Sequence, residues 1–196
     1  MGLRALIDRV QGILLKTEQE WEKIKGEAVT YQKLFIPYVA VLAAIPAVAS
    51  YFGEIIFGGY QYIPFRGPVR HNVIGAAFFS MIYRYIIIFV VIFVLGLAIN
   101  EFSTIFGSKR DKILSMKLSV YSFTPFCLIG VLFIFHFHLY WLVIFLSLYG
   151  LYIFYLGLGV LIETSNEKKV IFTVLTGIIY LISLNFFFLL GTLLSF

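Results

Sequence analysis

Residues 73–98 read VIGAAFFSMIYRYIIIFVVIFVLGLA, an apolar stretch with a single formal charge, Arg84. A helix needs about 20 apolar residues to cross a hydrocarbon core of about 30 Å, so this stretch predicts a membrane span. The whole chain has the same character: 61% of its 196 residues are hydrophobic, 13% are charged and the mean hydropathy is +0.98. Soluble domains are about 45–50% apolar and about 25% charged, which excludes a soluble globular protein.

Four further apolar stretches reach a similar length. The sequence therefore predicts an all-α integral membrane bundle of five transmembrane helices, preceded by amphipathic interfacial helices. The predicted spans are 34–52, 73–98, 118–137, 139–162 and 170–194. The third and fourth spans run almost together, and one helix of their combined length would be too long for a bilayer, which favours a tight hairpin near His138. The connection 53–72 is rich in Gly, Pro and aromatic residues and is predicted to be an irregular loop.

The basic residues predict the orientation of these spans. Twelve of the fifteen Lys and Arg residues lie in residues 1–33 and in the second and fourth connections, against Arg66 and Arg70 in the first connection. Because cytoplasmic loops carry the excess of Lys and Arg, we expect a multi-pass protein of the cell membrane with its N-terminus cytoplasmic and its C-terminus outside. This scattered distribution argues against nucleic-acid binding, which needs a clustered basic face.

Residues 1–30 differ from the transmembrane domain, 31–196, and are predicted to form a separate cytoplasmic or interfacial domain. Apolar residues recur at helical spacing from Leu3 to Leu14, and charged residues take the opposite face. This pattern predicts an amphipathic helix that lies on the membrane surface or on the bundle.

A second short helix is predicted after residue 16. Thr17 and Glu20 have the spacing of a capping box, in which each side chain binds a free N–H group at the start of the helix. Trp21 lies among charged residues and is predicted to anchor this helix at the membrane interface.

Arg84 is the only formal charge inside a predicted span, which makes it a candidate functional residue. The favoured interpretation is that its side chain snorkels to the outer interface, because about 24 Å of helix follow it up to Asn100. A functional Arg84 would bind a lipid phosphate or an anionic substrate. No Asp or Glu lies inside any predicted span, which argues against a proton or cation pump built on carboxylates.

Metal and enzyme chemistry find little support in the sequence. His71, His136 and His138 all lie on the predicted outer side, where scattered interfacial histidines are favoured over a metal site. The single cysteine, Cys127, excludes an intrachain disulfide and a zinc site built on Cys spacing. No G-x-S-x-G or H-E-x-x-H motif occurs. We therefore expect neither a cofactor nor an enzymatic activity.

Two motifs predict how the helices pack. Pro125 follows Thr124 and removes a helical hydrogen bond, so the third span is predicted to kink there, either to line a cavity or to help packing. Gly150 and Gly157 are seven residues apart on one face of the fourth span and allow a close helix approach.

Three tyrosines accompany these glycines. Tyr149, Tyr152 and Tyr155 lie beside or between them in sequence. The Gly and Tyr residues together predict a helix–helix contact surface, with a polar groove for a lipid or another ligand as the alternative.

Taken in order, several short motifs resemble the Yip (Ypt-interacting protein) domain family in its short prokaryotic form. The matching pieces are Trp21 with Ile24, Phe106-Gly107, YSFTPF at 121–126, LYGLY at 148–152, YLG at 155–157 and a Lys pair before the fifth span. The resemblance implies a five-span α-helical protein with a cytoplasmic N-terminus. Eukaryotic members of the family act in vesicle trafficking between endoplasmic reticulum and Golgi, bind prenylated Rab-type GTPases and associate with one another.

The sequence departs from the family pattern in three places. The longer cytosolic N-terminal region of the eukaryotic members is missing, which argues against binding of a small GTPase. Ser108 stands where a second Gly is expected after Phe106-Gly107. His136 and His138 replace an expected Pro near the end of the third span.

We therefore expect a non-enzymatic, membrane-organising or trafficking-type adaptor. Its expected partners are the lipid bilayer and other membrane proteins or further copies of itself. The candidate contact residues are Trp21, Arg84, Tyr121, Thr124, Pro125, Tyr149, Gly150, Tyr152, Tyr155 and Gly157. The alternative is a small transporter, channel or lipid-handling protein that uses a cavity near Pro125, Tyr152 and Arg84.

Overall fold

The computed structural model of the protein describes residues 2–57, 61–63, 67–69 and 73–194. The side-chain surroundings at 61–63, 67–69, 73, 136–138, 140 and 184–194 are outside this description. The protein is an α-helical bundle. Its helices are α1 (Leu3–Leu15), α2 (Thr17–Gly26), α3 (Tyr31–Leu34), α4 (Ala40–Phe57), α5 (Val73–Ile105), α6 (Lys112–Ser122), α7 (Thr124–Ile129), α8 (Tyr140–Ser147), α9 (Tyr149–Leu161) and α10 (Asn166–Leu194).

The turn between α1 and α2 is not a capping box, so this prediction is wrong. The Thr17 hydroxyl donates to the Ile13 carbonyl at 2.8 Å and therefore satisfies the end of α1 rather than the start of α2. Glu20 does not reach back to the helix end, because its carboxylate binds Arg9 and Lys23.

The hairpin of α1 and α2 is part of the bundle core. Ile13, Trp21 and Ile24 are fully buried and belong to the same apolar cluster as residues of the spans. The apolar residues of α1 also form a second, outward surface, because Leu3 and Leu15 are exposed.

The first membrane-crossing segment is longer than predicted and runs from Tyr31 to Phe57. Between α3 and α4 it contains a π-helical turn, Phe35–Val39, which includes Pro37. A proline has no N–H group to donate, and the wider turn accommodates that loss. The extension past residue 52 places Glu54 inside α4.

A short antiparallel ladder follows α4, where the sequence predicted an irregular loop. Strands β1 (Gln61–Ile63) and β2 (Gly67–Val69) pair with Tyr62 opposite Pro68. The prediction of irregular structure is wrong for these residues. Their Gly and Pro content is typical of a loop. Pro is nevertheless tolerated on an edge strand, because one side of such a strand is unpaired.

Helix α5 contains 33 residues and is about 50 Å long, which exceeds the thickness of a hydrocarbon core of about 30 Å. The helix ends in a Schellman motif. The Ser108 N–H donates to the Ser103 carbonyl at 2.8 Å, and the Gly107 N–H donates to the Thr104 carbonyl at 3.2 Å. Gly107 has a φ of 63°, a conformation that favours glycine, so the Phe106-Gly107 motif ends this helix.

The third span breaks where Pro125 predicted a kink. Helix α6 ends at Ser122, and α7 begins at Thr124 with Pro125 in its first turn. The chain then continues as a 3-10 helix, Gly130–Leu139.

The fourth segment returns along the third, as the predicted hairpin requires. Helix α8 packs on α7 and on the 3-10 helix, and α9 packs on α6. A second break, at Leu148, separates α8 from α9.

The described residues contain four helical segments that are long and apolar enough to cross a membrane. These are Tyr31–Phe57, Ile74–Ile105, Lys112–Phe135 and Trp141–Leu161. The predicted fifth span, 170–194, lies in α10, and its residues 184–194 fall outside the described side chains. The protein is thus an all-α, multi-span membrane protein.

Candidate functional site

Tyr121 lies in a buried aromatic row that joins the N-terminal hairpin to the spans. Its ring contacts Trp21 edge-to-face, with 6.0 Å between centroids, and contacts Tyr38 in the same way at 4.9 Å. The Tyr38 hydroxyl lies 2.8 Å from Thr124 Oγ1, a hydrogen bond in which either group is able to donate. Three of the predicted site residues, Trp21, Tyr121 and Thr124, therefore belong to one connected group.

Trp21 is fully buried, so its predicted role as an interfacial anchor is wrong. Its Nε1–H donates to the Ile153 carbonyl on α9 at 3.1 Å. A helical carbonyl has a second lone pair, so Ile153 is able to accept this bond from a neighbouring helix. The indole thus attaches α2 to the interior of the bundle.

Gly150 and Gly157 confirm the prediction of close helix approach. A Cβ atom at Gly150 would lie 2.5 Å from the Ser122 carbonyl oxygen, next to the break in the third span. A Cβ atom at Gly157 would lie 2.5 Å from Cδ1 of Leu118 and 2.7 Å from the Trp21 ring. The glycine face of α9 is therefore filled by α6 and α2.

Arg9 binds the two carboxylates of the hairpin. Its Nη1 lies 2.7 Å from Oε1 of Glu20, and its Nη2 binds Oε1 of Glu27. The guanidinium carbon is 5.7 Å from the centroid of the Tyr121 ring, within the range of a cation–π contact. Burial disfavours the charged guanidinium, but the Glu27 hydrogen bond and the charges of Glu27 and Glu20 outweigh it and raise the pKa of Arg9.

Lys117 closes the C-terminal end of α2 from the neighbouring α6. Its Nζ donates to the carbonyls of Ile24 and Glu27, at 2.7 and 2.6 Å. Helix ends leave such carbonyls without intrahelical partners, and a cation there also complements the helix dipole. In the sequence, Lys117 served only as one of the basic residues that predict the orientation of the spans.

The three tyrosines of α9 lie away from its glycine face. Tyr149 and Tyr152 stack with 5.6 Å between centroids and remain 40% and 53% exposed. The Tyr149 hydroxyl donates to the Leu14 carbonyl on α1 at 2.8 Å. Tyr155 faces the ammonium group of Lys169, 5.7 Å from its ring centroid.

Arg84 does not snorkel, so the favoured interpretation of this residue is wrong. Its Nη2 lies 2.6 Å from Oε1 of Glu54, and the two side chains are only 8% and 9% exposed. The pair joins α4 to α5. The prediction that no span contains an acidic residue is also wrong, because Glu54 lies inside the segment Tyr31–Phe57.

The residues of the transporter hypothesis are not brought together. Arg84 binds Glu54, Thr124 binds Tyr38, and Tyr152 lies on the outer surface of α9. A groove of about 530 Å³ lies elsewhere, between the residues that follow α2 and the start of α6.

The histidine hypothesis stays a prediction. His71 lies outside the described residues, and the side chains of His136 and His138 lie outside the described side chains. In the part of the chain that the structure describes, no three His, Cys, Asp or Glu residues form a group that could hold a metal ion.

Comparison with known families agrees with the motifs. The family model of the Yip1 domain matches residues 12–188, from α1 to α10. The chain belongs to the Yip1 family. No curated protein and no solved structure matches it. The Yip1 family is related to membrane trafficking, and this member is a membrane protein with several apolar helices.

The motifs that resembled the Yip1 family fall at contacts between elements. Phe106 stacks on Phe172 of α10 with 4.8 Å between centroids. Lys168, from the Lys pair, donates to the Phe106 carbonyl at 2.9 Å. Ser108 supplies only its backbone N–H to the Schellman motif, which explains why a residue other than Gly is tolerated there.

Sequence reasoning missed several residues of this site. The sequence places Arg9 on the charged face of the first helix, and no pattern in it singles out Glu27 or Tyr38. One signal could have found Lys117, since a lysine one residue before a predicted span needs a polar partner. The partner of Arg84 could have been found by asking which carboxylate lies closest to the end of a neighbouring span, which is Glu54.

Proposed function

We propose that this Yip1-family protein is a non-enzymatic, membrane-organising adaptor that binds other membrane proteins through the outer surface of α9. Its N-terminus is cytoplasmic, α10 supplies a fifth span, and its C-terminus lies outside the cell membrane. The positive-inside distribution of Lys and Arg supports this orientation.

The exposed tyrosine pair, Tyr149 with Tyr152, carries the proposal. The two rings are already stacked, and the hydrogen bond from Tyr149 to Leu14 holds the first of them in place. Binding therefore orders few additional side-chain torsions, which lowers its entropic cost. Tyrosine is also enriched at protein interfaces and at hot spots.

The inner face of α9 supports the assignment of its outer face. The glycine contacts with α6 and α2 already occupy Gly150 and Gly157. A partner helix would therefore meet Tyr149 and Tyr152 rather than the small residues. The hairpin contributes to this surface, because the exposed Leu15 follows Leu14 directly.

Site-specific photo-crosslinking tests the adaptor role. A photoreactive amino acid is placed at position 152 and, as a matched control, at Val174, which is 55% exposed on α10. In native membranes we expect a discrete protein adduct from position 152 and only lipid adducts from position 174. The Tyr149→Ala variant should weaken the adduct from position 152. Lipid adducts alone at both positions would contradict the proposal.

The orientation needs its own measurement. A reporter fused to the C-terminus, active only outside the cytoplasm, should be active. A matched fusion at Ser108, in the connection with several basic residues, should be inactive. An active Ser108 fusion would reverse the proposed orientation. If both fusions are inactive, the C-terminus lies inside and the span count is reduced to four.

A further inference from the structure

We infer that a water molecule binds on the axis of a four-helix ring inside the bundle, between the hydroxyl groups of Ser122 and Thr176. The ring consists of α5, α6, α9 and α10, and the site lies at the break that ends α6. This interior site is independent of the outer surface of α9 proposed above.

The four helices of the ring surround a common axis. Helix α5 packs on α6 and on α10, and α9 packs on the same two helices. The contact between α5 and α6 includes a hydrogen bond, because the Ser119 hydroxyl donates to the Ile92 carbonyl at 2.7 Å. Helices α6 and α10 therefore lie on opposite sides of the axis, where their inner side chains face each other.

A cavity of about 20 Å³ lies on this axis. All four helices line it, and the lining includes Leu95 from α5, Ser122 from α6, Gly150 from α9 and Thr176 from α10. A cavity needs about 10–15 Å³ of this kind of volume to hold a water molecule. The axial cavity therefore has room for one water molecule.

Aromatic contacts flank the cavity along the axis. Thr176 lies one helical turn from Phe172 on one side and from Tyr180 on the other. Phe172 contacts Phe154 of α9 with 6.1 Å between centroids, and Tyr180 contacts Phe123 at 5.4 Å. A water molecule between these two contacts would be held apart from bulk water.

Ser122 and Thr176 are buried hydroxyl residues, with exposed fractions of 8% and 4%. Neither hydroxyl has a hydrogen-bond partner among the described residues. A buried hydroxyl without a partner is costly, and buried water is a common way in which such groups are satisfied. A water molecule on the axis would accept a hydrogen bond from one hydroxyl and donate to the other.

Other hydroxyls of the bundle are satisfied within their own helices. Ser103 and Ser183 each donate to the carbonyl four residues before them, at 2.8 and 2.7 Å. This bond is common for serine and threonine in membrane helices. Ser122 and Thr176 do not make it in the described structure, which fits hydroxyls that bind a ligand on the axis instead.

The cavity distinguishes this pair from further hydroxyls without partners. Ser115 on α6 and Thr173 on α10 also have no partner within the described part of the chain, but neither is among the residues that line the axial cavity. The site therefore rests on two observations together, which are the unpartnered hydroxyls and a cavity of the size of a water molecule.

Tyr180 provides a third group for the water. Its hydroxyl lines the same cavity and donates to the Ser147 carbonyl at 3.4 Å, next to the break at Leu148. The phenol oxygen is still able to accept a hydrogen bond. Buried water typically makes about three hydrogen bonds, which Ser122, Thr176 and Tyr180 supply. The water would thus connect the breaks in the third and fourth segments through α10.

X-ray radiolytic labelling tests for this water, because ionising pulses convert bound water into hydroxyl radicals that oxidise the side chains beside it. Tyr180 and Tyr38 are a matched pair, buried to exposed fractions of 4% and 2%. Tyr180 lines the axial cavity, whereas Tyr38 lies in the aromatic row with Tyr121. We expect Tyr180 to be oxidised several-fold faster than Tyr38.

Removing the two hydroxyls supplies the control. In the variant with Ser122→Ala and Thr176→Val, the oxidation rate of Tyr180 should fall to that of Tyr38. Equal rates for the two tyrosines in wild type would overturn the inference. A rate at Tyr180 that is unchanged in the double variant would also overturn it.

Thermal unfolding separates a bound water from a dry cavity. Thr176→Val keeps the shape of the side chain and removes its hydroxyl, so with a bound water it should lower the unfolding temperature, as should Ser122→Ala. The double variant should lose less than the sum of the two, because both hydroxyls bind the same water. Ser183→Ala, whose hydroxyl binds its own helix, should change the temperature little.

Two outcomes of the unfolding measurement would contradict the inference. An unchanged or higher unfolding temperature for Thr176→Val would show that the cavity is dry, since such a site gains from the loss of an unpaired hydroxyl. Fully additive losses in the double variant would show that the two hydroxyls share no water.

Discussion

Arg9 and Arg84 each bind glutamate at close range, but they do so in different parts of the molecule. Arg84 lies between α4 and α5 and has one carboxylate, Glu54, at 2.6 Å. Arg9 lies in the hairpin of α1 and α2 and is shared between Glu20, Glu27 and the face of Tyr121. The first is a single pair, and the second is a network.

The two arrangements differ in what remains when one member is removed. Without Arg84, Glu54 would be a carboxylate buried in an apolar bundle without its cation. Without Arg9, Glu20 would keep Lys23, at 3.0 Å. A buried pair is therefore expected to be more sensitive to the loss of one partner than the network is.

The largest effect is expected at the single pair. Arg84→Met should lower the free energy of unfolding by about 3–5 kcal/mol, because it leaves the Glu54 carboxylate buried without a partner. Thermal unfolding in detergent, compared with wild type, measures this loss. The double variant Arg84→Met with Glu54→Gln should recover much of the stability. A single variant as stable as wild type would show that the pair contributes little.

The network should tolerate the equivalent change better. Arg9→Met removes hydrogen bonds to two carboxylates and should cost about 1.5–3 kcal/mol, less than Arg84→Met in the same assay. The control is Lys23→Met, which breaks a pair on the surface and should cost at most about 1 kcal/mol. A larger loss for Arg9→Met than for Arg84→Met would reverse the comparison between the two regions.

Much of the fold could be predicted because lipid imposes strict rules on sequence. Apolar length defined the spans, the two glycines of α9 predicted the close contact with its neighbours, and Pro125 predicted the break after Ser122. Each of these signals is local, because each can be recognised from a short stretch of sequence without knowing which distant residues it contacts. The reversal near Leu139 followed from the same limit on helix length.

The candidate site was harder to predict because its partners are distant in sequence. Trp21 binds a carbonyl 132 residues away, and Lys117 reaches carbonyls about 90 residues before it. Charged neighbours made Trp21 look interfacial, although those neighbours occupy the other faces of the helix. Glu54 was missed because the end of the first span was placed at residue 52, five residues before its end at Phe57. Small errors at helix ends thus decide whether a buried charge has a partner.

Two glycines provide the next comparison between the two regions. Gly53 lies next to Glu54 in α4, and Gly157 packs against Trp21 of the hairpin. A Cβ atom at Gly53 would lie 2.3 Å from the Phe133 carbonyl oxygen, which is backbone, whereas at Gly157 it would meet side chains of Leu118 and Trp21. Overpacking costs about 1–3 kcal/mol, and we expect Gly53→Ala to lie towards the upper end because backbone moves less readily than side chains. Thermal unfolding of both variants checks the order. Equal losses of stability would show that the backbone of the 3-10 helix moves as readily as the Trp21 side chain.

The smallest expected effect concerns Glu163, which connects the hairpin to the loops at its end of the bundle. Its Oε1 lies 3.0 Å from Nζ of Lys25 and 3.8 Å from Nζ of Lys109. The hydrogen bond from Lys25, followed by the charges of Lys25 and Lys109, lowers the pKa of Glu163 below its ordinary value of 4.5. The stabilisation is therefore complete above pH 4.5 and is lost as the pH falls through the lowered pKa.

Hydrogen exchange at the end of α2 measures this loss, because wild type and Glu163→Gln are compared at the same pH. At neutral pH the amides near Lys25 should exchange faster in Glu163→Gln than in wild type. The difference should disappear once the pH is below the pKa of Glu163, since both side chains are then uncharged. The effect is small because the pair is exposed and screened by salt, unlike Arg84 with Glu54. A difference that persisted in acid would show that Glu163 acts through its backbone, whose φ of 56° is unusual for a residue other than glycine.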